Sequence, residues 1–596
     1  MLNWNFLQKV LLAVGFPEQW VGWILNCVLQ GTSRVIVNGI AGRTIKLRRG
    51  VRQGDPISPY LFILAFDFLA RWLKSLVRSG ALLLPFANIQ PALFYADDSI
   101  IFFKPCTQQV HFLKMVLLVF QSISGLALNR TKSDLMITYA NDTLVAEMAI
   151  AMGCRPATFP IKYLGLSLSD KRLRKSDYFP LIDRIRTKLA SWSAGLLSYA
   201  GRLVLVNACL TAMPLFFMSA FLVPKWVTKE IDKLRMRFFW HGTSDARKLV
   251  MVSWEKICTP KKQGGLGVLS FTEMNKALLA RWLWCWISNK DNMWPTLAAT
   301  LQNNQISMVP EFSPLRGAFL EILPILNIAV IVNPGDGSSI LFWHHNWGNG
   351  VLKYALADLY SFAIEGNITL LEFRNKLLTN EQVFLEALST SNSAMQQWYS
   401  LQHLLSLQTL SATRTKDNFR FSMNTDGAFS VKTVYKLQKT FPKTDSLLYS
   451  VWRLKIPPRM KIFIWQMAQN KIATIDNLKK RGWSLANRCI LCAQQEESVK
   501  HMFNVCPFFQ LTVRKATQHS SLFSSLSFST NAEFLLDGTG VNVHRELMAI
   551  LCFIIWRERC SRIFREIQQP INLLVDQIFL EWHSLQGHPI SGISFV

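Results

Sequence analysis

The stretch Phe94-Tyr95-Ala96-Asp97-Asp98-Ser99-Ile100-Ile101-Phe102-Phe103 constrains this chain more than any other. Two apolar, β-prone runs flank a pair of adjacent carboxylates, a pattern that predicts a β-hairpin with the Asp-Asp pair as its turn. Carboxylates beside a buried hairpin do little for stability. They suit a site for hard divalent cations, because Mg²⁺ takes oxygen ligands and is bound through one or two carboxylates together with substrate phosphates. Two such ions, roughly 4 Å apart, clamp the attacking and leaving oxygens of an in-line displacement. Asp is also common in plain turns, so the dipeptide alone leaves both readings open.

A second segment, Gly50-Val51-Arg52-Gln53-Gly54-Asp55-Pro56-Ile57-Ser58-Pro59, lies about forty residues upstream. Its two glycines let backbone approach a ligand closely. Arg52 and Gln53 offer several hydrogen-bond donors. In this order and spacing the two segments resemble the palm of a reverse transcriptase, specifically the non-LTR, LINE-type retroelement family of plants. The resemblance implies an α+β right-hand polymerase fold and template-directed DNA synthesis, with Mg²⁺ or Mn²⁺ held by Asp97 and Asp98. It implies an RNA template, a DNA primer or nicked target, and deoxynucleoside triphosphates as partners. It places Arg52, Gln53 and Gly54 on nucleotide and template. Gly125-Leu126-Ala127-Leu128-Asn129-Arg130-Thr131-Lys132-Ser133 resembles the family segment whose lysine, here Lys132, lies near the triphosphate. Tyr163-Leu164-Gly165 resembles the turn that grips the primer.

The resemblance also carries a mismatch. The family's first catalytic aspartate belongs just before Trp4, and Met1-Leu2-Asn3 supplies none. The expectation is a truncated or degenerate copy without that Asp, the fingers or an N-terminal endonuclease, inactive as written. Two alternatives stand beside an active polymerase: a catalytically dead nucleic-acid-binding protein or retroelement relic, and, less favoured, a protein like a group II intron maturase.

Bulk properties agree with a polyanionic partner. The 596 residues carry a formal charge of +27, which favours phosphate neutralisation with counterion release, although an anionic membrane surface would attract it equally. No apolar run reaches the roughly 18 residues that span a bilayer, so no membrane partner is expected. Leu547 to Trp556 reads as a core helix. The 11 cysteines show no disulfide-like spacing, which points to a reducing, intracellular compartment, nucleus or cytoplasm.

Along the chain, residues 1–168 form the expected partial palm, with helices up to residue 30 and a strand at Arg34–Gly39 returning at Thr44–Leu47. Asp67, inside the helix after Pro59, is expected to be a surface acid. Residues 169–245 form a helical thumb rich in cations: Arg184, Arg186, Lys188, Arg202, Lys225, Lys229, Lys233, Arg235 and Arg237. About half of these are expected to be plain solvated charges, since long cationic side chains commonly cover helix surfaces. Residues 246–425 form a mostly helical connector in which Lys261 to Gly267 reads as a glycine-punctuated linker and Trp343 and Trp347 sit in a hairpin. Residues 516–596 form a helical tail.

Residues 426–515 contain Cys489-x2-Cys492-x8-His501-x4-Cys506. Three thiolates and an imidazole close a tetrahedral Zn²⁺ sphere and leave no open catalytic position. With the upstream Trp452-to-Trp465 segment, the quartet resembles the zinc-binding domain of plant LINE-type reverse transcriptases. The nearby Lys479, Lys480, Arg481, Arg488 and Lys500 are expected to form a nucleic-acid surface.

Overall fold

A computed structural model describes residues 2–85, 89–138, 141–169, 171–192, 197–242, 250–288, 315–348, 350–363, 365–377, 391–407, 416–438, 445–519 and 542–586. Parts of the expected connector (289–314, 378–390, 408–415) and tail (520–541, 587–596) lie outside the described residues. The described residues divide into two compact units, one ending at Asp177 and the other beginning at Tyr178. Helices dominate, and among the described residues strands pair only in twos, an α+β architecture.

In the first unit, α1 (Trp4–Val14) starts where the Asn3 side chain accepts from the Asn5 amide, and stops at Gly15, whose φ of +100° suits only glycine. α2 (Glu18–Leu29) follows. A two-storey hairpin comes next: β1 (Thr32–Ser33) pairs with β4 (Ile45–Lys46), and β2 (Ile36–Val37) with β3 (Ile40–Ala41). α3 (Ser58–Arg78) turns Leu61, Ala65, Leu69 and Leu73 inward at i, i+4 spacing, against Leu7 and Leu11 of α1. On its outer side Asp67 pairs with Arg71 at 2.6 Å. The short antiparallel pair β5 (Ala92–Tyr95) and β6 (Asp98–Ile101) rests on this core, and α4 (Thr107–Ser124) closes it with Val110, Leu113 and Phe120. Phe66 of α3 holds both, edge-on to Phe94 at 5.6 Å and to Phe120 at 6.2 Å. Such edge-to-face pairs add roughly 1 kcal/mol each beyond area burial. β7 (Asp134–Leu135) runs parallel to β8 (Arg155–Pro156) across α5 (Asp142–Met152), and β9 (Ile161–Tyr163) turns back into β10 (Leu166–Leu168).

The second unit opens with α6 (Phe179–Ala190), α7 (Tyr199–Leu205), α8 (Leu215–Ala220) and α9 (Lys225–His241). Arg235 of α9, expected on the surface, is instead wholly buried. Its guanidinium bonds Asp232 at 2.7 Å and both Thr211 Oγ1 and the Leu269 carbonyl at 3.0 Å, 4.0 Å from the centre of the Phe271 ring. It is a core cross-link. Burial raises the Asp232 carboxyl against the downward pull of Arg235.

After α10 (Trp254–Ile257), the segment expected to be a linker keeps Lys261 and Lys262 exposed but buries Gly264, Gly265 and Leu266. Leu266 and Val268 are buried, and the Gly264 carbonyl accepts from Trp465 Nε1 at 2.8 Å. Gly264 has φ +78°, and a methyl there would come within 2.7 Å of Leu448. One on Gly265 would overlap Thr259 and the Lys256 carbonyl. Glycine serves close packing here, so its sequence signal resembles that of a flexible linker. α11 (Phe271–Ser288) continues the same core, with the Ser270 amide donating to the Tyr435 hydroxyl at 3.0 Å.

Further on, β11 (Val330–Asn333) pairs antiparallel with β12 (Asn418–Phe421). Asp417 receives the amides of Gly335, Gly337 and Ser339 at 2.7–2.9 Å, which fixes the Gly-Asp-Gly turn. Trp347 lies in a turn closed by an Asn346–Val351 bridge and Trp343 in the turn just before it, not in a strand hairpin. His345 is buried, and its Nδ1 accepts from the Leu341 amide at 2.9 Å. Leu547 to Ile555 lie inside a core helix, Asn542–Phe564.

Two predictions follow from these packings. A Gly265→Ala substitution should cost roughly 3 kcal/mol, the scale of overpacking against rigid backbone, whereas Gly348→Ala, with open space around it, should cost nothing measurable. Equal guanidinium midpoints for the two variants would contradict the close approach. Burial holds the His345 imidazole down to about 3, against an ordinary 6.5. Below pH 6.5 the unfolded chain therefore takes up a proton that the folded chain refuses until about pH 3, so stability falls as pH falls through that window. Between pH 7 and 5 the loss should be about 2 kcal/mol greater in the parent than in His345→Gln; equal losses would show that His345 stays accessible.

Candidate functional site

The hairpin that presents Asp97 and Asp98 is built from the core outward. Phe94 and Ile101 pack on the helices beneath, and Tyr95 pairs across the ladder with Asp98. The turn therefore consists of Ala96 and Asp97, while Asp98 already begins β6, one residue off the expected Asp-Asp turn. Both carboxylates are exposed. Ala96 sits at φ +51°, a left-handed conformation that costs an alanine about 1 kcal/mol.

The turn between β9 and β10 has the same character. Leu164 and Gly165 stand at φ +50° and +81°, and Tyr163 flanks them. Burial, and next the negative charge of Asp98, raise the Tyr163 phenol above its ordinary range, so Asp98 and Tyr163 share one electrostatic environment. The other expected residues are less closely drawn in. Arg52 and Gln53 are exposed, and Arg52 is committed to Asp55 at 3.1 Å. Asp55 in turn accepts the Ile57 amide at 3.2 Å at the start of α3. Gly54 has φ +89°. The Trp4 indole holds the Gly50 carbonyl at 2.7 Å and so anchors this loop. Lys132 ends an exposed turn whose amide is capped by Asn129. Described contacts join neither Arg52 nor Lys132 to Asp97 or Asp98.

The cations of α6 to α9 separate into two groups. Arg186 pairs with Asp183 and Glu230, Lys233 pairs with Glu230, and Arg202 donates to the Phe239 and Trp240 carbonyls at 3.4 Å. Like Arg235, these serve the fold. Arg184 and Lys188, one turn apart on α6, line an open concavity of about 450 Å³ with Thr187, Ser191 and Met213.

The four metal ligands do converge. Cys489, Cys492, His501 and Cys506 bring their ligand atoms within 4.8 Å of one another, and among the described residues no other group of three or more His, Cys, Asp or Glu does so. Cys489, His501 and Cys506 are buried. His501 and Cys506 are brought to one side by a π-turn, with the Cys506 amide bonded to the His501 carbonyl at 2.8 Å. His501 turns Nε2 to Cys492 at 3.3 Å, while Nδ1 meets Gln495 Oε1 at 2.9 Å. That outer contact leaves Nε2 for the metal, as in metal sites generally. The hydrogen bond from Cys506 holds the Cys489 thiol well below the usual thiol range, aided by the knuckle amides of Cys492 and Leu491. Three soft sulfurs and one imidazole fit Zn²⁺, with four protein ligands filling its sphere.

Sequence spacing reveals neither Gln495 nor what braces the quartet from outside. Glu497 is buried against Arg559 at 2.6 Å, and Arg562 reaches the Leu491 carbonyl at 3.4 Å. Both arginines come from helix Asn542–Phe564. The basic surface expected beside the quartet is smaller than its sequence suggests. Arg481 bonds the Met251 carbonyl at 3.0 Å, Arg488 the Ala493 carbonyl at 2.8 Å, and Lys480 pairs with Asp476. Lys479 and Lys500 stay exposed.

Arg559→Met should therefore weaken zinc binding by about 10–100-fold although Arg559 touches no ligand, the usual penalty for losing an outer support. Competition with a chromogenic chelator measures it. An affinity within twofold of the parent would separate the helix from the metal site.

Residues 1–168 match the family model of reverse transcriptase (RNA-dependent DNA polymerase), and residues 429–512 match that of zinc-binding in reverse transcriptase. Among curated relatives, a putative ribonuclease H protein of Arabidopsis thaliana is 26% identical over 420 residues, 66% of each chain. An uncharacterized 149 kDa protein of transposon TX1 from Xenopus laevis is 26% identical over 279 residues, 44% of this chain and 20% of its own. A Pol polyprotein from the type-2 retrotransposable element R2DM of Drosophila melanogaster is 36% identical over 127 residues, 21% of this chain and 11% of its own. The chain thus spans two thirds of the first relative at most and much less of the others. Residues 1–168 are thus similar to reverse transcriptases and residues 429–512 to their zinc-binding domain, and the relatives include proteins of transposons and retrotransposable elements.

Proposed function

We propose that the chain grips an RNA template paired with a DNA primer, and that Asp97 and Asp98 hold the divalent cations, Mg²⁺ or Mn²⁺, of template-directed DNA synthesis. The observation that carries this reading is the strained Ala96 turn, which sets two exposed carboxylates beside the Tyr163 hairpin. Strain of this kind survives where the surroundings over-determine it and gathers at functional sites. When bound, the metals would neutralise the triphosphate and stabilise the oxygens that attack and leave. The protein's own part is to orient: Asp97 and Asp98 as ligands, Tyr163 to Gly165 along the primer, and Arg52, Gln53, Gly54 and Lys132 toward nucleotide and template. Residues 169–245 serve as a thumb, with Arg184 and Lys188 toward the phosphate backbone. Residues 246–425 serve as connector, and the zinc quartet acts as a folding staple.

A second reading is grip without chemistry. The observation favouring it is that, among the described residues, no third carboxylate gathers with Asp97 and Asp98. Losing one carboxylate of a two-metal site removes most of the charge stabilisation that the metals supply.

Primer extension on an RNA template, with Mg²⁺ or Mn²⁺, separates the readings. Extension abolished in Asp97→Ala/Asp98→Ala establishes the catalytic assignment. No extension, with RNA binding that weakens steeply as salt rises, establishes grip alone. Absence of both would refute the assignment altogether.

A further inference from the structure

We infer that the hairpin β1–β4 is a nucleic-acid arm whose aliphatic tip packs against bases at the junction of a duplex and a single strand. This rests on the nucleic-acid reading above and adds a contact and a ligand geometry to it.

The hairpin is well formed, yet no described residue covers it. Asn38 and Gly39 take φ +50° and +82°, the left-handed pair of a tight two-residue turn. Its ladder continues through Gly42 to Val35 at 2.8 Å and Leu47 to Gly31 at 3.0 Å, with Arg34 Nε bonded to Thr44 Oγ1 at 2.8 Å. Every residue from 32 to 46 is exposed. At the tip, Ile36, Val37 and Ile40 are 70%, 63% and 76% exposed. A lone two-stranded hairpin is marginal in water, and contiguous exposed apolar surface marks an interaction site.

Register and charge narrow the partner. Ile36 pairs with Ala41, and Val37 with Ile40, so successive pairs face opposite sides of the ribbon. The tip is therefore apolar on both faces. A flat partner would cover one face only; a pair of separated bases covers both, as where apolar side chains wedge between base steps. From residue 19 to 54 the chain has Arg34, Arg43, Lys46, Arg48, Arg49 and Arg52, and no Asp or Glu. Of these six only Arg52 has a carboxylate partner among the described residues. The flanks thus suit phosphates while the tip suits bases.

The test uses the full chain and an RNA–DNA hybrid with a single-stranded RNA overhang, with 2-aminopurine as the first unpaired base. Ile36→Thr/Ile40→Thr keeps β-branched residues and hence the strand, and an unchanged unfolding midpoint verifies the fold. This variant should lose most of the 2-aminopurine fluorescence change and bind the junction about tenfold more weakly, while binding blunt hybrid as the parent does. Arg43→Gln/Lys46→Gln should weaken both and flatten the slope of log K against log salt by about 2. If the parent binds and the threonine variant matches it in fluorescence and affinity, the inference is overturned. It is equally overturned if the threonine variant loses only self-association, or only binding to phosphatidylcholine–phosphatidylserine vesicles. A parent that binds no hybrid at all would instead overturn the nucleic-acid reading beneath it.

Discussion

Close backbone approach at Gly264 and Gly265 holds the second unit together. With no side chain there, Trp465 can reach the Gly264 carbonyl from 201 residues away, and Leu448 can lie against the same turn. Buried residues from several distant stretches belong to the same unit: Leu266 and Phe271, then Tyr435, then Met460 and Ile464. The region around the zinc quartet is thus continuous with the helical part that precedes it in sequence. A single core of this kind gives long-range rigidity to helices that would be marginal in isolation, because most helical stability in proteins comes from burying one face.

What could be read from the sequence was whatever acts over short spacing. Asp97-Asp98 between two apolar runs specifies a hairpin, and Cys489-x2-Cys492 with His501 and Cys506 specifies a metal site, because ligand chemistry restricts both residue type and distance. α1 and α3 follow from their apolar periodicity. The remainder was hidden for physical reasons. Glycine at 264 and 265 signals a missing side chain but not the neighbour that requires it. Arg235 sits in an amphipathic helix like any surface cation, and only the tertiary fold supplies Asp232, Thr211 and the Phe271 ring around it. Glu497 and Arg559 are 62 residues apart, beyond any local pattern. The turn beside the active-site candidate was displaced by one residue because strand register depends on packing of Phe94 and Ile101, not on the carboxylates themselves.

The same distinction governs the charge. A net +27 counts every cation alike. In the fold, Arg202, Arg235, Arg481 and Arg559 spend their donors on carbonyls and carboxylates inside the protein. Burying such groups is tolerable only because each is paired. The cations left for a polyanion are fewer, and they include the face of α6, the acid-free run around the β1–β4 hairpin, and exposed lysines such as Lys479 and Lys500.

Helix Asn542–Phe564 lies beyond the matched zinc-binding segment, yet Arg559 and Arg562 reach back to Glu497 and the Leu491 carbonyl beside the metal ligands. A retroelement copy that acquires a stop codon between residues 513 and 558 would keep all four ligand codons and still lose the support of the centre they encode. Intact Cys and His codons are therefore a poor guide to which decayed copies still fold.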